Sequence, residues 1–403
     1  MRCLLLLSII TNVFLPSCVA DYNGSDELSF KGDIKAETKL PRKRHTLSFF
    51  DNNLKLSIAS NTRPEKVRQD DAMYRFAASI GSKRNVECFA ARKQTFPGTN
   101  MYQLYQQKFG ENSQIRNMPE IYINSINGIP FAVMKVQYEI GCDNDQNMYK
   151  YGFVKLHDYV LICEHNELGY DRTFQRFMLS TAKSAFESYQ SRELVKKLTY
   201  KTYSLNQVIG FKQVYTWKSG QLNHEEIIDS VIIPFSNKEI RTSDTYKLTT
   251  MNSYGELVSS VFESYQNDQQ IYNIKVMEKG GNRLLLEGFN KNELIKKELT
   301  KPDFGIYFDV GMIPPQYLGN MADDKIAIFD PSLNSLAFDY VTFEKGNDRS
   351  YRITGREKKF IIKINRKDLV QNIHVEGKGL SYEQRLVNFQ ISQSRNPVAW
   401  SRL

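Results

Sequence analysis

The stretch Val208–Trp217 reads VIGFKQVYTW, a short run of aliphatic and aromatic residues with polar side chains interleaved. Alternation with a period of two is typical of a half-buried β-strand. Similar short runs follow one another to the end of the chain and are separated by turn residues; they include Ile227–Phe235, Thr245–Thr250, Leu257–Tyr265, Tyr272–Val276, Phe360–Ile364 and Leu369–Val375. No long amphipathic helix interrupts them. The pattern predicts a mostly antiparallel β domain over residues 198–391, built as a long meander that is strongly curved or barrel-like.

Aromatic residues make up 12% of the chain and recur along the first strands of this region. The set is Tyr200, Tyr203, Phe211, Tyr215 and Trp217. Two interpretations fit these residues: they pack a core, or they line a hydrophobic cleft, because binding pockets are also rich in aromatic side chains.

Residues 46–192 have a different pattern, in which strand-like runs alternate with two helical segments. The first helix is predicted from Asn100 to Phe109, with Thr99 or Asn100 as its N-cap. The second begins at Asp171 and places Phe174, Phe177, Met178 and further apolar residues at three- and four-residue steps. This spacing puts one apolar stripe against a core. The sequence therefore predicts an α+β chain of two domains, 46–192 and 198–391.

The stretch Ile129–Tyr189, IPFAVMKVQYEIGCDNDQNMYKYGFVKLHDYVLICEHNELGYDRTFQRFMLSTAKSAFESY, combines apolar strands with one closing helix that has a Phe-rich face. Together with the strands and the helix predicted before it, this stretch resembles the Mog1/PsbP-like α/β/α sandwich and, within that group, the DcrB-like exported bacterial proteins. The resemblance implies an adaptor or binding module without catalysis. It transfers no functional residue, because no diagnostic site motif accompanies it.

The second region resembles LolA-type lipid-binding half-barrels, in which a curved sheet shelters an acyl chain on its concave face. This resemblance implies a hydrophobic ligand for residues 198–391. It is a likeness of architecture and supplies no site residues.

The first twenty residues, MRCLLLLSIITNVFLPSCVA, carry one charge and a short apolar core, and they are interpreted as a signal peptide. Two products are expected. Cleavage after Ala20 gives a soluble periplasmic or secreted protein, whereas Leu15-Pro16-Ser17-Cys18 is similar to a lipobox and would give a lipoprotein anchored through an acylated Cys18. Residues 21–45 are polar and are predicted to form a flexible linker, and residues 392–403 a tail.

The composition is that of an ordinary globular protein, with 41% apolar and 25% charged residues and a net charge of +9. The positive excess favours an anionic membrane surface as a partner, or it simply solubilises the protein. The basic residues are spread along the chain without a nucleic-acid-binding signature, so no nucleic-acid partner is expected.

Three cysteines lie outside the signal peptide, and Cys142 with Cys163 is the predicted disulfide, because both lie near the ends of neighbouring predicted strands. Cys163 and His165 also share one face of a strand, so a thiolate–imidazole pair is an alternative. A zinc site formed by these two residues with His157 and Cys142 lacks the usual paired ligand spacing. No cofactor motif is found, and no metal or cofactor is expected.

These observations predict an exported, non-enzymatic protein of the cell envelope that binds a lipid-like ligand or another envelope protein. The alternative is a hydrolase or thiol-dependent enzyme with its site near Cys163 and His165.

Overall fold

The computed structural model describes residues 40–391 with gaps at 81–84, 93–95, 110–113, 116, 141–144, 157–158, 167–169, 189–193, 237–238, 303–305, 308, 310–312, 314–325, 332–335, 357 and 378–379. The described residues form 25 strands and two helices. The predicted signal peptide with Cys18, residues 21–39 of the predicted linker, and the predicted tail lie outside them. Strand β1 starts at Arg44.

The N-terminal elements are β1 (Arg44–Phe49), β2 (Leu54–Ala59), β3 (Lys66–Arg68), β4 (Met73–Ser79), β5 (Asn85–Ala91), α1 (Pro97–Phe109), β6 (Gln114–Ile115), β7 (Glu120–Ile126), β8 (Ile129–Ile140), β9 (Asp145–Lys155), β10 (Val160–His165) and α2 (Asp171–Ser188). Strands β1 and β2 form a hairpin, and β3 to β10 form an eight-stranded sheet in the order β3-β4-β5-β10-β9-β8-β6, with β7 also paired to β8. The predicted second helix is confirmed. Its apolar stripe, which includes Phe174, Phe177 and Met178, packs in one core with residues of β2, β5 and β8.

The remaining elements are β11 (Leu194–Ser204), β12 (Gln207–Ser219), β13 (Leu222–Ser236), β14 (Glu239–Met251), β15 (Leu257–Gln266), β16 (Gln269–Gly280), β17 (Arg283–Asn290), β18 (Glu293–Thr300), β19 (Ile306–Tyr307), β20 (Ile326–Phe329), β21 (Phe338–Lys345), β22 (Ser350–Thr354), β23 (Lys358–Ile364), β24 (Val370–Gly377) and β25 (Leu380–Ile391). They form one 15-stranded sheet in the order β18-β17-β16-β15-β14-β13-β12-β11-β25-β24-β23-β22-β21-β20-β19. Neighbours are antiparallel except for β19 and β20, which are parallel.

Tight turns set the register of the meander. At Leu205–Asn206, Gly281–Asn282 and Lys291–Asn292 both residues have positive φ, from 47° to 68°. Two-residue turns of this kind match the right-handed twist of the strands that they connect. The side chains of each strand therefore alternate between two fixed faces of the sheet.

The large sheet is strongly curved. Its two ends share a core in which Leu284 and Leu286 of β17 pack with Ile306 of β19 and Phe329 of β20. Contact between the first and last strands of a long sheet requires the sheet to bend round on itself. The expectation of a curved sheet over residues 198–391 agrees with this arrangement.

The expectation of an α+β fold with an N-terminal α/β/α sandwich is wrong. Strands dominate the described residues, and only two helices occur among them. Helix α1 does not close a separate sandwich: Met101, Tyr105 and Phe109 share one core with Phe211 of β12 and Ile232 of β13. The physical reason is that the large sheet offers α1 an apolar outer face, so one helix is buried against both sheets.

Candidate functional site

Cys163 is not a free thiol in this structure. Its sulfur is bonded to Cys88, with a Cα–Cα distance of 4.1 Å, and both side chains are fully buried. The two residues lie directly opposite each other on the antiparallel strands β5 and β10. The predicted pairing of Cys163 with Cys142 is thereby corrected. Cross-strand register, which the sequence spacing does not reveal, brings Cys88 to this position.

His165 lies two residues further along β10 and is 2% exposed. Its Nδ1 is 3.3 Å from Lys150 Nζ, and its ring lies near those of Tyr170 and Phe174. These contacts place the imidazole in a packed environment. With the sulfur of Cys163 bonded elsewhere, the predicted thiolate–imidazole pair is not assembled.

Other predicted site residues lie outside the described part of the chain, namely Cys18, Cys142 and His157. Within the described residues, no group of three or more histidine, cysteine, aspartate or glutamate side chains could hold a metal ion. Neither described helix is long and apolar enough to cross a membrane.

A cluster of charged side chains instead occupies the inner, concave face of the large sheet. Lys212 of β12 lies directly opposite Asp229 of β13. Lys247 of β14 and Glu225 of β13 project from the same face. Successive side chains of a strand alternate between its two faces, and both residues lie an even number of positions from the Lys212–Asp229 pair in the strand register. We call Lys212, Glu225, Asp229, Lys247 and Asp309 the inner-face charge cluster.

Asp309, which follows the short strand β19, supplies the counter-ion of the cluster. Lys212 Nζ donates to both carboxylate oxygens of Asp309, at 2.8 and 2.9 Å, and Lys247 Nζ lies 3.5 Å from Oδ2. The side chains of Lys212, Asp309 and Lys247 are 5%, 14% and 17% exposed. Two lysines thus hold one carboxylate that comes from outside their own strands.

The two other carboxyl groups of the cluster are buried and titrate above their usual range. Burial raises the pKa of Glu225 to about 7, against the lowering effect of Lys196. Burial also raises the pKa of Asp229 to about 6, although Lys212 and a hydrogen bond from Gln384 lower it. A carboxyl group that is short of partners in a low-dielectric interior favours its neutral form.

Within the described part of the chain, several buried polar atoms on this inner face have no hydrogen-bond partner. They are Glu225 Oε1, Asp229 Oδ1, Thr202 Oγ1 and Thr216 Oγ1. Asp229 uses only Oδ2, which accepts a hydrogen bond from Gln384 Nε2 at 2.8 Å. Buried polar atoms are nearly always hydrogen-bonded in folded proteins, to protein or to ordered water, so these four atoms have the capacity to bond to water or to a ligand.

A group of buried apolar residues continues from the charge cluster on the same face. Lys247 lies directly opposite Phe262 of β15, and Phe262 lies opposite Ile274 of β16. Both apolar residues are fully buried, as are Val276 and Leu286 beside them. The inner face is therefore amphipathic, with charged and hydroxyl groups at one side and aliphatic and aromatic groups at the other.

Sequence reasoning missed this cluster. A usable signal was present, since Lys212 and Asp229 are charged residues inside otherwise apolar strand patterns. The sequence could not show that these two residues lie on one face beside Asp309, because that placement depends on strand register and on the curvature of the sheet.

Comparisons with known proteins give no family. No protein-family model and no curated protein matches the chain. Among solved structures, a β-barrel-like protein of unknown function from Brucella abortus matches 51% of this chain and all of its own length, at 10% identity and a TM-score of 0.36. A protein of unknown function from Pseudomonas aeruginosa matches 35% of this chain and 94% of its own, at 13% identity and a TM-score of 0.21. Neither likeness carries an argument about function, and neither bears on the two resemblances drawn from the sequence.

Proposed function

We propose that this protein is an exported, non-enzymatic protein of the cell envelope that binds a lipid-like ligand on the inner face of its large sheet. The observation that carries the proposal is the amphipathic character of that face. Lys247, with the charged and hydroxyl groups around it, borders directly on the buried apolar residues Phe262, Ile274 and Val276. An amphiphile has the same division into a polar end and an apolar chain.

Two further observations support export and an envelope location. The N-terminal sequence has the form of a signal peptide. The buried Cys88–Cys163 disulfide is typical of proteins that fold in an oxidising compartment. The net charge of +9 would favour approach to an anionic membrane surface, where lipids are available.

The disulfide also weighs against the alternative of a thiol-dependent enzyme. A nucleophilic cysteine must be present as an accessible thiolate. Cys163 is bonded to Cys88 and fully buried, so it has neither property.

Titration calorimetry of the purified full chain with oleate and with monooleoylglycerol tests the binding proposal. We expect saturable binding of at least one amphiphile. Val276→Thr, which replaces a methyl group by a hydroxyl among these apolar residues, should weaken that binding several-fold. Val258→Thr makes the same change at an exposed position of β15 and should leave binding unchanged. Absence of saturable binding to either amphiphile would refute the proposal.

The mass of the mature protein from its native host tests export separately. A chain that begins at Asp21, or an acylated chain that begins at Cys18, supports it. An intact N-terminus at Met1 refutes it.

A further inference from the structure

One rim of the large sheet is formed by the end of β25, the start of β11, and the turns that join β12 to β13 and β14 to β15. Ile391 at the end of β25 lies opposite Lys196 of β11. On the next two strands, Lys218 of β12 lies opposite Asn223 of β13. The side-chain amide of Asn223 donates to the backbone O of Asn252, in the β14–β15 turn, at 3.1 Å. These strand ends therefore lie side by side over about 20 Å, the width of four strand-to-strand steps.

Three large apolar side chains are exposed along this rim. Tyr254, in the β14–β15 turn, is 77% exposed, and Ile391 and Phe389 at the other end are 46% and 38% exposed. The turn that carries Tyr254 is held by Asn252, whose Oδ1 accepts hydrogen bonds from the backbone N of Tyr254 at 2.9 Å and of Glu256 at 3.0 Å. An asparagine that bonds the backbone in this way fixes the conformation of a turn. The tyrosine ring is thus presented to the solvent from an ordered turn.

Lysine side chains lie beside and between these apolar groups. Lys196 lies opposite Ile391, and Lys367 Nζ lies 4.6 Å from the centre of the Phe389 ring. Lys218, at the end of β12, is exposed between the two ends of the rim. A lysine can cover an apolar group with its methylene chain while its ammonium group stays at the surface. Each exposed apolar group at the β25 end therefore has a cation next to it.

Exposed acidic side chains are few along the same part of the rim, from the β23–β24 turn to the β14–β15 turn. Among the described residues they are Asp368 and Glu256. Asp368 is paired with Arg349, and Glu256 accepts a hydrogen bond from Asn252 Nδ2 at 2.7 Å. The rim is therefore positively charged where its apolar side chains are exposed.

An anionic membrane surface is complementary to this combination of side chains. Tyrosine rings favour the level of the lipid head groups, where one end of the ring is in an apolar and the other in a polar environment. Lysines near the surface are attracted by anionic lipids. Single exposed apolar residues are common and need no partner. Here, however, three of them lie along one rim with lysines beside and between them.

We propose that this rim docks on the surface of an anionic phospholipid bilayer. We call it the basic rim, and it consists of Lys196, Lys218, Tyr254, Lys367, Phe389 and Ile391. The Tyr254 ring enters the head-group region, and the lysines lie next to lipid phosphates. The inference goes beyond the proposed lipid binding and does not require it, because the rim meets the bilayer whether or not a ligand occupies the inner face.

Co-sedimentation of the mature protein, from Asp21 to the C-terminus, with lipid vesicles tests the docking. We expect binding to vesicles of phosphatidylcholine mixed with phosphatidylglycerol, and little binding to phosphatidylcholine alone. The double variant K218Q/K367Q should weaken binding to the anionic vesicles about tenfold or more, because each lysine close to an anionic surface adds several-fold to the affinity. The control K291Q/R356Q removes the same charge from exposed turns at the opposite rim. It should weaken binding by less than about threefold, because those charges lie more than a Debye length from the bilayer.

Tryptophan fluorescence tests whether Tyr254 enters the head-group region. The emission of Tyr254→Trp, taken as the difference from the wild type, should shift to shorter wavelength when anionic vesicles are added, because the indole ring leaves water. Tyr340→Trp replaces another exposed tyrosine, on strand β21, and is the matched control. Its emission should not shift.

Three results would overturn the inference. Equal weakening by the two double variants would show that the total charge, and not the basic rim, sets the affinity. Equal binding to both kinds of vesicle would exclude an anionic surface as the preferred partner. Binding to heparin as tight as to anionic vesicles, without an emission shift in Tyr254→Trp, would indicate a soluble polyanion instead.

Calorimetry with oleate separates this inference from the proposed function. K218Q/K367Q should bind oleate as the wild type does, because the substituted residues lie on the rim. If the wild type binds anionic vesicles but neither amphiphile, the proposed function is refuted and the docking stands.

Discussion

The carboxylate of Asp244, on strand β14, caps helix α1 at Thr99, 145 residues earlier in the chain. Asp244 Oδ2 accepts hydrogen bonds from the backbone N of Thr99 at 2.6 Å and from its hydroxyl at 2.8 Å. Its Oδ1 accepts from the backbone N of Gly98 at 3.1 Å and from the Ser230 hydroxyl at 2.6 Å. The first backbone N–H groups of a helix have no partner within it. A residue of the large sheet satisfies them here and fixes α1 between the two sheets.

Asp244→Ala should destabilise the protein markedly. It removes a fully buried acceptor and leaves two backbone N–H groups and two hydroxyls without their partner, a loss of about 3 kcal/mol in the free energy of unfolding. Urea denaturation followed by circular dichroism measures it. The exposed Asp268→Ala is the control and should change stability by less than about 0.5 kcal/mol. Equal midpoints for the two variants would show that Asp244 does not hold α1.

The contribution of Glu225 and Asp229 to stability should fall as the pH rises from about 4 to about 7, because these groups have raised pKa values of about 7 and about 6 in the folded protein. Unfolded carboxyl groups release their protons near pH 4. Between these limits Glu225 and Asp229 bind more protons in the folded state than in the unfolded state, so the stability that these two groups contribute is fully present below about pH 4 and is lost as the pH rises through the folded pKa values.

Glu225→Gln isolates the contribution of this group to the pH dependence. The variant should lose less stability than the wild type between pH 5 and pH 8, by an amount on the order of a few kcal/mol. Urea midpoints at the two pH values measure the difference. Glu293→Gln, at the exposed edge strand β18, should follow the wild type. An unchanged pH dependence in Glu225→Gln would contradict the titration assigned to this group.

Peptide mapping under non-reducing conditions should recover one bridged peptide pair that contains Cys88 and Cys163. The double variant C88A/C163A should lose about 3 to 4 kcal/mol of stability, because the bridge closes a long loop of the unfolded chain. Loss of the disulfide should leave amphiphile binding intact. Recovery of Cys142 bridged to Cys163 would restore the pairing expected from sequence.

Gly210 of β12, two residues before Lys212, allows the close approach of β13. A Cβ atom added there would lie 2.1 Å from the backbone O of Ser230. Gly210→Ala must therefore push two backbones apart, and we expect a loss of about 2 kcal/mol or more in urea denaturation. Ser219→Ala, at the exposed end of the same strand, is the control. A tolerated Gly210→Ala would mean that β12 and β13 can separate without loss.

The local alternation of side chains was sufficient to predict many of the strands, among them β12, β13, β15 and β24, and the stripe that begins at Phe174 was sufficient to predict α2. These patterns are local, because a period of 2.0 or 3.6 residues is set within one element. The predicted start and end residues of the elements were less accurate. Helix α1 begins at Pro97 rather than Asn100, because its first N–H groups are capped by Asp244 and not by a neighbouring side chain.

The sequence by itself determined that this chain is rich in strands, where most of them lie, and that Lys212 and Asp229 interrupt apolar runs. Only the tertiary structure decided that Cys163 meets Cys88, that α1 packs against the large sheet, and that Lys212 and Lys247 share the carboxylate of Asp309. The physical reason is the same in each case. Strand register and sheet curvature are set by packing over the whole chain, and they choose which distant side chains face each other.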